Sequence, residues 1–240
     1  MPGLADTHRL TGRHHRSAAW AGALLCLAGL AAAADLPMLP DTATTPAGFV
    51  PAGWQIAQQV SADLDRDGRA DAVLLLQPDA PMPAPGTGTS PARVLAVLLQ
   101  RRAGWSLAAQ NSRLVPQVDL ASQEDPLANG ELAATRNGFS LSLGLASTAG
   151  SYLSALQTYR FRLERHCVRL IGHDTLQTHR ATQATQDTSI NFLTGAVVVR
   201  SGNAQTDATT QRRSRLAANP RRCLPDLDSA AGFQPLGTPR

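Results

Sequence analysis

The segment FSLSLGLAS, residues 139–147, alternates apolar and small polar residues with a period of two. Phe139, Leu141, Leu143 and Leu145 therefore fall on one face of an extended chain, and serines and a glycine fall on the other. Strict alternation of this kind predicts a β-strand with one buried face. No segment of the chain shows a long apolar stripe at the helical period, so we expect the rest of the domain to consist of strands as well.

The neighbouring segments extend this pattern in both directions along the chain. ADAVLLLQ (70–77) is a continuous apolar run, which predicts a buried strand. RVLAVLLQ (93–100) and WSLAAQN (105–111) flank RRAG (101–104), which predicts a compact hairpin. The later segments alternate less regularly and are separated by turn residues. They are LQTYRFRLER (156–165), CVRLIGHDTLQTH (167–179) and SINFLTGAVVVRSG (189–202). The sequence predicts an all-β, mainly antiparallel fold with little helix, built either as one curved meander sheet or as a two-layer sandwich.

The N-terminal residues have the composition of a secretory signal peptide. Residues 1–16 carry three arginines, and residues 17–34 (SAAWAGALLCLAGLAAAA) are almost wholly apolar and end in Ala32-x-Ala34. The rival interpretation is a membrane anchor, which needs about 20 strongly apolar residues. We predict a signal peptide over 1–34, a mature chain that starts near Asp35 without a later membrane span, and a periplasmic or secreted location in a bacterium.

Composition divides the remaining chain into three parts. Residues 35–50 are rich in Pro, Ala and Thr and predict an extended lead-in. Residues 51–203 contain the alternating segments and predict the β domain, with a Pro-rich loop at 78–92. Residues 204–240 are polar and lack periodicity, so we expect a surface tail that Cys223 tethers to the domain.

Two cysteines remain after removal of the predicted signal peptide, Cys167 and Cys223. An even number of cysteines in an exported chain predicts a disulfide between them. A reactive or metal-bound thiol is the alternative, but the sequence contains no CxxC motif that would favour it. Closing a loop of this length stabilises a fold by about 4 kcal/mol in the chain-entropy model.

The charge of the chain gives little reason to expect a nucleic-acid partner. The formal net charge of +4 comes from 22 arginines and no lysine, and residues 1–34 hold three of those arginines and one of the 18 acids. The mature chain therefore has 19 basic and 17 acidic residues. The one basic cluster, QRRSRLAANPRR (211–222), has no interleaved aromatic residues on which bases could stack. We interpret it as a solvated surface segment.

The strongest chemical signal is DLDRDGRAD, residues 63–71. Asp63, Asp65 and Asp67 occupy positions 1, 3 and 5 of a loop, where carboxylates can converge on one calcium ion. Arg69 at position 7 offers its backbone carbonyl, so its side chain is free to point away, and Asp71 at position 9 supplies a fourth carboxylate. We predict a Ca²⁺ site formed by these five residues. A solvated Asp/Gly turn between two strands is the alternative.

The stretch from Trp54 to Gln77, a strand followed by DxDxDGxxD and a second apolar strand, resembles the calcium loop of integrin-type FG-GAP and VCBS repeats. The resemblance implies the same four carboxylates and the Arg69 carbonyl as calcium ligands. Propellers of that family repeat the motif in every blade, whereas it occurs once here, so a propeller is not implied. The overall layout, with NFLTG at 191–195, also resembles a group of exported bacterial proteins for which it implies no activity.

The sequence offers little evidence for catalysis. It has no HExxH or GxSxG motif, and the best acid–base candidate is the adjacent pair His173–Asp174. Adjacent residues of a strand point to opposite faces, so we predict a structural histidine that is surface-exposed or half-buried, and we assign no catalytic or cofactor-binding residue. The favoured hypothesis is an exported, non-catalytic, calcium-binding β protein that binds a protein or glycan or maintains the envelope. The alternative is an exported hydrolase whose site cannot be recognised from sequence.

Overall fold

The computed structural model describes residues 36–84 and 86–229, so the predicted signal peptide lies outside the described residues. The described part contains twelve β-strands and two short 3-10 helices. The strands are β1 (Thr42–Ala43), β2 (Trp54–Ala62), β3 (Asp71–Pro78), β4 (Val94–Arg101), β5 (Gly104–Asn111), β6 (Glu131–Thr135), β7 (Gly138–Ala146), β8 (Leu153–Glu164), β9 (Cys167–His179), β10 (Ala184–Asn191), β11 (Ala196–Asn203) and β12 (Thr206–Arg215). The 3-10 helices are Pro46–Phe49 and Leu224–Asp226. The predicted all-β fold is confirmed.

The strands form two antiparallel sheets. Sheet 1 has the order β1-β5-β4-β3-β2, and sheet 2 has the order β12-β11-β10-β9-β8-β7-β6. From β2 to β5 and from β6 to β12, each strand pairs with the next one along the chain. Most of these pairs are joined by short turns, but residues 63–70 join β2 to β3 and residues 79–93 join β3 to β4.

One apolar core joins the two sheets, as in a two-layer sandwich. Sheet 1 contributes buried residues such as Leu75 and Val97, and sheet 2 contributes Phe139, Leu141 and Phe161. The alternating residues of β7 that the sequence placed on one face are part of this core, except for Leu145, which is half-buried. Of the two predicted architectures, the shared core identifies the sandwich.

The predicted lead-in covers the outer face of sheet 1. Leu39 and Phe49 from this segment pack with Leu74 and Leu76 of β3 in a second apolar cluster. β3 and β4 are therefore buried on both faces, which explains their continuous apolar sequences. The lead-in also pairs with β5 through β1. A Cβ at Gly104, whose φ is +130°, would lie 2.7 Å from the carbonyl oxygen of Ala43, so this close approach requires glycine.

The strands continue past residue 203, where the sequence analysis places the start of a polar surface tail. Thr206–Arg215 form β12, which pairs antiparallel with β11 and extends sheet 2 by one strand. The described side chains of this strand are exposed, so neither of its faces needed the apolar alternation by which the other strands were recognised. Residues 216–229 follow as a surface segment, and 230–240 lie outside the described part.

The predicted disulfide is present between Cys167 and Cys223, with their Cα atoms 5.4 Å apart. It holds the C-terminal segment against the start of β9. There the Asn111 side chain donates hydrogen bonds to the carbonyl oxygens of Leu224 and Leu227, at 2.6 and 2.8 Å. Both leucines are buried in the core that the two sheets share. The segment after β12 is therefore tied to the domain by packing and hydrogen bonds as well as by Cys223.

In the described residues, no helix is long and apolar enough to span a membrane.

Candidate metal centre

The loop of residues 63–71 connects the end of β2 to the start of β3 at one end of sheet 1. Asp71 is the first residue of β3 and pairs with Ala62, so the two strands fix both ends of the loop. The loop turns at Arg66 and Gly68, which have φ angles of +66° and +83°. Gly68 adopts this conformation without strain because it has no Cβ. The pairing of β2 with β3 thus holds the two ends of the acidic loop together, so the loop forms a closed turn.

Three of the four predicted carboxylates converge in this loop. Asp63, Asp65 and Asp71 each offer one carboxylate oxygen, and these oxygens all lie within 4.8 Å of one another. Their burial is graded, since Asp63 is exposed, Asp65 is half-buried and Asp71 is buried. Hard oxygen ligands at this spacing are the donor set that oxygen-seeking divalent cations use. The cluster could hold a metal ion.

Asp71 also has a structural role at the base of the cluster. Its Oδ2 accepts a hydrogen bond from the backbone N–H of Leu64, and its Oδ1 accepts one from that of Gln100, both at 2.8 Å. Burial raises the pKa of Asp71 above its ordinary value, and the two hydrogen bonds oppose that rise. Because each carboxylate oxygen has a second lone pair, these bonds leave Asp71 able to coordinate a cation.

The exposed part of the loop is held by its own carboxylates. Asp63 accepts hydrogen bonds from the backbone N–H groups of Asp67 and Gly68, both at 3.1 Å. Asp65 accepts a longer bond of 3.3 Å from the N–H of Asp67. These side-chain-to-backbone bonds are typical of Asp-rich turns and preserve the curvature of the loop. The carboxylates are therefore arranged around the loop centre by the backbone that they bind.

Two arginines approach the carboxylates, and the sequence interpretation missed one of them. Arg101, at the end of β4, pairs with Asp65 at 2.5 Å and lies 3.7 Å from Asp67. The hydrogen bond to Asp65 raises the pKa of Arg101 above its ordinary value. In an antiparallel meander, the turn after β4 lies at the same end of the sheet as the loop before β3. The predicted hairpin RRAG therefore carried a signal that could have placed Arg101 at the site.

The other two predicted ligands are Asp67 and Arg69, and their side chains contact each other. Asp67 is not in the cluster of three carboxylates and forms an ion pair with Arg69. The Arg69 side chain was expected to point away from the loop, but it folds back onto Asp67 and also donates to the carbonyl oxygen of Gln100 at 3.4 Å. The attraction between the two opposite charges, two residues apart in a tight loop, explains this difference.

The pair His173–Asp174 is not arranged for acid–base catalysis. His173 is 3% exposed and packs against the ring of Tyr159, with the ring centroids 4.7 Å apart. Burial lowers the pKa of His173 to about 4. Asp174 lies on the other face of sheet 2, where it forms an ion pair with Arg160. His173 is therefore buried more deeply than the surface or half-buried position that the sequence analysis predicts.

Comparisons with known proteins identify no relative of this chain. No family model, no curated protein and no solved structure matches the chain. The acidic loop, the disulfide and the surface of the sandwich are therefore the observations from which a function can be inferred.

Proposed function

We propose that the chain is an exported, calcium-stabilised β-sandwich that acts by binding a partner in the periplasm or outside the cell. The observation that carries this proposal is the convergence of Asp63, Asp65 and Asp71 within one loop. Three carboxylates so close together repel one another, and a bound cation removes that repulsion. The metal centre thus serves to fix the loop and the adjacent surface, not to perform a reaction.

The donor set favours calcium among the common divalent cations. Calcium accepts six to eight oxygen ligands in flexible geometry, whereas magnesium requires a near-ideal octahedron and retains its waters. The three clustered carboxylates leave coordination positions for the Asp67 carboxylate, the Arg69 carbonyl and water. The resemblance to the FG-GAP and VCBS loops supports the same ligands. In this proposal Asp67 exchanges its partner Arg69 for the ion.

In this proposal Arg101 competes with calcium, because its guanidinium contacts one oxygen of Asp65 at 2.5 Å. The ion must displace this side chain, which is 42% exposed and can move into solvent. Such a competitor weakens the site, and affinities of about 0.1–1 mM are typical of extracellular calcium modules. A weak site would be filled outside the cytoplasm, which supports the proposed location.

The disulfide supports export independently of the metal. Disulfides persist in the periplasm and outside the cell, and they are rare in the reducing cytosol. The bond between Cys167 and Cys223 lies in the same molecule as a calcium-type loop. In the described residues no observation favours the hydrolase hypothesis, because its best histidine is buried between Tyr159 and the core.

Thermal unfolding in different cations tests this proposal. With a dissociation constant of about 0.1 mM, 1 mM calcium adds about 1.4 kcal/mol to the free energy of unfolding. We expect the melting temperature to rise by about 3–5 °C in calcium and much less in magnesium, each relative to chelator. Asp65→Asn should abolish the response, and Asp79→Asn, which changes an exposed aspartate outside the cluster, should preserve it. An equal response to both cations, or none, would reject the metal centre.

A further inference from the structure

A groove of about 470 Å³ lies between the acidic loop and the turn that joins β8 to β9. One wall consists of Leu64, Asp65 and Arg66, and the other consists of residues 162–165. The two walls come from different sheets, so the fold itself creates the groove at the end of the sandwich. Of the residues that line the groove, only Asp65 belongs to the candidate metal centre.

The acidic groups of the groove are already neutralised by other arginines. Glu164 contacts Arg162, lies 3.0 Å from Arg169 and lies 3.7 Å from Arg221. The hydrogen bond from Arg162 is the largest of the effects that lower the pKa of Glu164. Asp65 is paired with Arg101. One glutamate thus faces three guanidinium groups, and the turn carries an excess of positive charge.

Arg66 and Arg165 add two further cations, one on each wall. Within residues 36–84 and 86–229, neither guanidinium has a hydrogen-bond or ion-pair partner, and both side chains are exposed. Both residues have left-handed backbone conformations, with φ of +66° and +55°. Glycine or asparagine adopts this conformation at lower cost than arginine. The groove therefore carries an arginine at two positions where the backbone favours other residues.

We propose that this groove binds a carboxylate of an acidic peptide segment in a partner protein. A guanidinium presents a planar fork of donors that matches a carboxylate with two parallel hydrogen bonds. Leu163 lines the groove, is half-buried and offers apolar contact to the rest of a peptide. The lining contains no aromatic residue on which a sugar ring could stack. The proposal does not require calcium, although an ion bound at Asp65 would add positive charge to the same wall.

Fluorescence anisotropy with a defined peptide tests the groove. The probe is a fluorescein-labelled Leu-Glu-Glu-Leu-Glu-Glu peptide with a blocked C-terminus, and its matched control replaces each glutamate by glutamine. We expect the acidic peptide alone to bind, and we expect Arg66→Asn and Arg165→Asn each to weaken binding about tenfold or more. Because asparagine tolerates the left-handed conformation, both variants should melt no lower than the wild type.

Arg213→Asn is the control for net charge, because it removes one exposed arginine from β12, outside the groove. It should bind the acidic peptide as the wild type does. Equal binding of the glutamate and glutamine peptides would overturn the proposal, as would wild-type affinity in both groove variants. Failure of the unlabelled acidic peptide to displace the probe would mean that the fluorescein label binds, and would also overturn it. Peptide binding in chelator separates this result from the calcium response.

Discussion

The two sheets share one core but differ in how their other faces are used. Sheet 1 is covered on its outer face by the lead-in, so β3 and β4 contact apolar side chains on both faces. Sheet 2 leaves its outer face partly open, and Arg160, Asp174, Leu156 and Leu176 lie there half-buried or exposed. In sheet 1 the clustered carboxylates are confined to the loop at its end. In sheet 2 charged pairs are distributed over the surface.

This difference also determines the environment of the buried ionisable groups. Asp71 of sheet 1 is fully buried, and two backbone N–H groups donate to its carboxylate. His173 of sheet 2 is buried beside the Tyr159 ring, and its pKa is lowered to about 4. Two backbone N–H groups stabilise the carboxylate of Asp71. The imidazole of His173 is tolerated in the interior because it stays neutral. Substitution therefore tests the role of Asp71, and acid tests the burial of His173.

The largest expected effect comes from removing the disulfide that links β9 of sheet 2 to the C-terminal segment. Replacing both cysteines, Cys167→Ser with Cys223→Ser, removes a cross-link between positions 56 residues apart. We expect the free energy of unfolding to fall by about 4 kcal/mol, because the unfolded chain gains the entropy of the opened loop. Urea denaturation with and without reductant measures this effect. The double variant serves as its own control, since reductant should not change it further, and a wild type that is indifferent to reductant would contradict the prediction.

The second-largest expected effect is the loss of stability on substitution of Asp71 in sheet 1. Asp71→Ala removes the acceptor of two backbone N–H groups and should lower the free energy of unfolding in chelator by about 3 kcal/mol. Asp63→Ala changes an exposed member of the same cluster and should cost less than about 1 kcal/mol under the same conditions. Both variants should lose the calcium response. Equal destabilisation by the two substitutions would show that Asp71 has no structural role beyond the cluster.

Acid should weaken sheet 2 through His173. Its folded pKa of about 4 lies below the ordinary value of 6.5, so the unfolded chain binds the proton first as the pH falls. Stability from the neutral histidine is present above pH 6.5 and is lost progressively as the pH falls toward 4. Between pH 7.5 and pH 5 the expected loss is about 2 kcal/mol.

Urea denaturation at several pH values measures this loss. His173→Gln should flatten the pH dependence in this interval, because the variant has no imidazole to protonate. Gln177→Asn, which changes an exposed residue of β9 and removes no titratable group, should leave the dependence of the wild type unchanged. A slope that persists in His173→Gln would assign the pH dependence to another group.

The smallest expected effect is a change in the calcium affinity of the acidic loop. Arg101 competes with a cation for Asp65, so Arg101→Gln should increase calcium affinity about two- to fivefold, the range expected for an exposed ion pair. Arg102→Gln changes the adjacent exposed arginine and should leave the affinity unaltered. Calcium titrations followed by thermal unfolding compare the two. A loss of affinity in Arg101→Gln would mean that the arginine supports the site instead of competing with it.

The sequence was most informative where burial imposes a pattern. The alternation of β7 and the continuous apolar runs of β3 and β4 predicted the strands, because one or both faces of those strands must avoid water. β12 was missed because its described side chains are exposed, and an exposed edge strand needs no apolar pattern. The cover formed by the lead-in was also missed, since its few apolar contacts, such as Leu39 and Phe49, are separated by turns.

The candidate site was predictable to the extent that it is local. The spacing of the aspartates in residues 63–71 predicted their convergence, and Asp63, Asp65 and Asp71 do converge. The contact of Arg101 depends on the register between β3 and β4, which the loop sequence does not contain. The groove with Arg66 and Arg165 depends on the packing of two sheets and could not be read from either segment alone.

Isothermal titration calorimetry of the wild-type protein with calcium tests the central claim most directly. We predict one calcium ion per chain with a dissociation constant of about 0.1–1 mM, and little or no heat of binding with magnesium. The same titration of Asp65→Asn should show no binding, and that of Asp79→Asn should match the wild type. Absence of calcium binding to the wild type, or undiminished binding to Asp65→Asn, would contradict the assignment of residues 63–71 as a calcium loop.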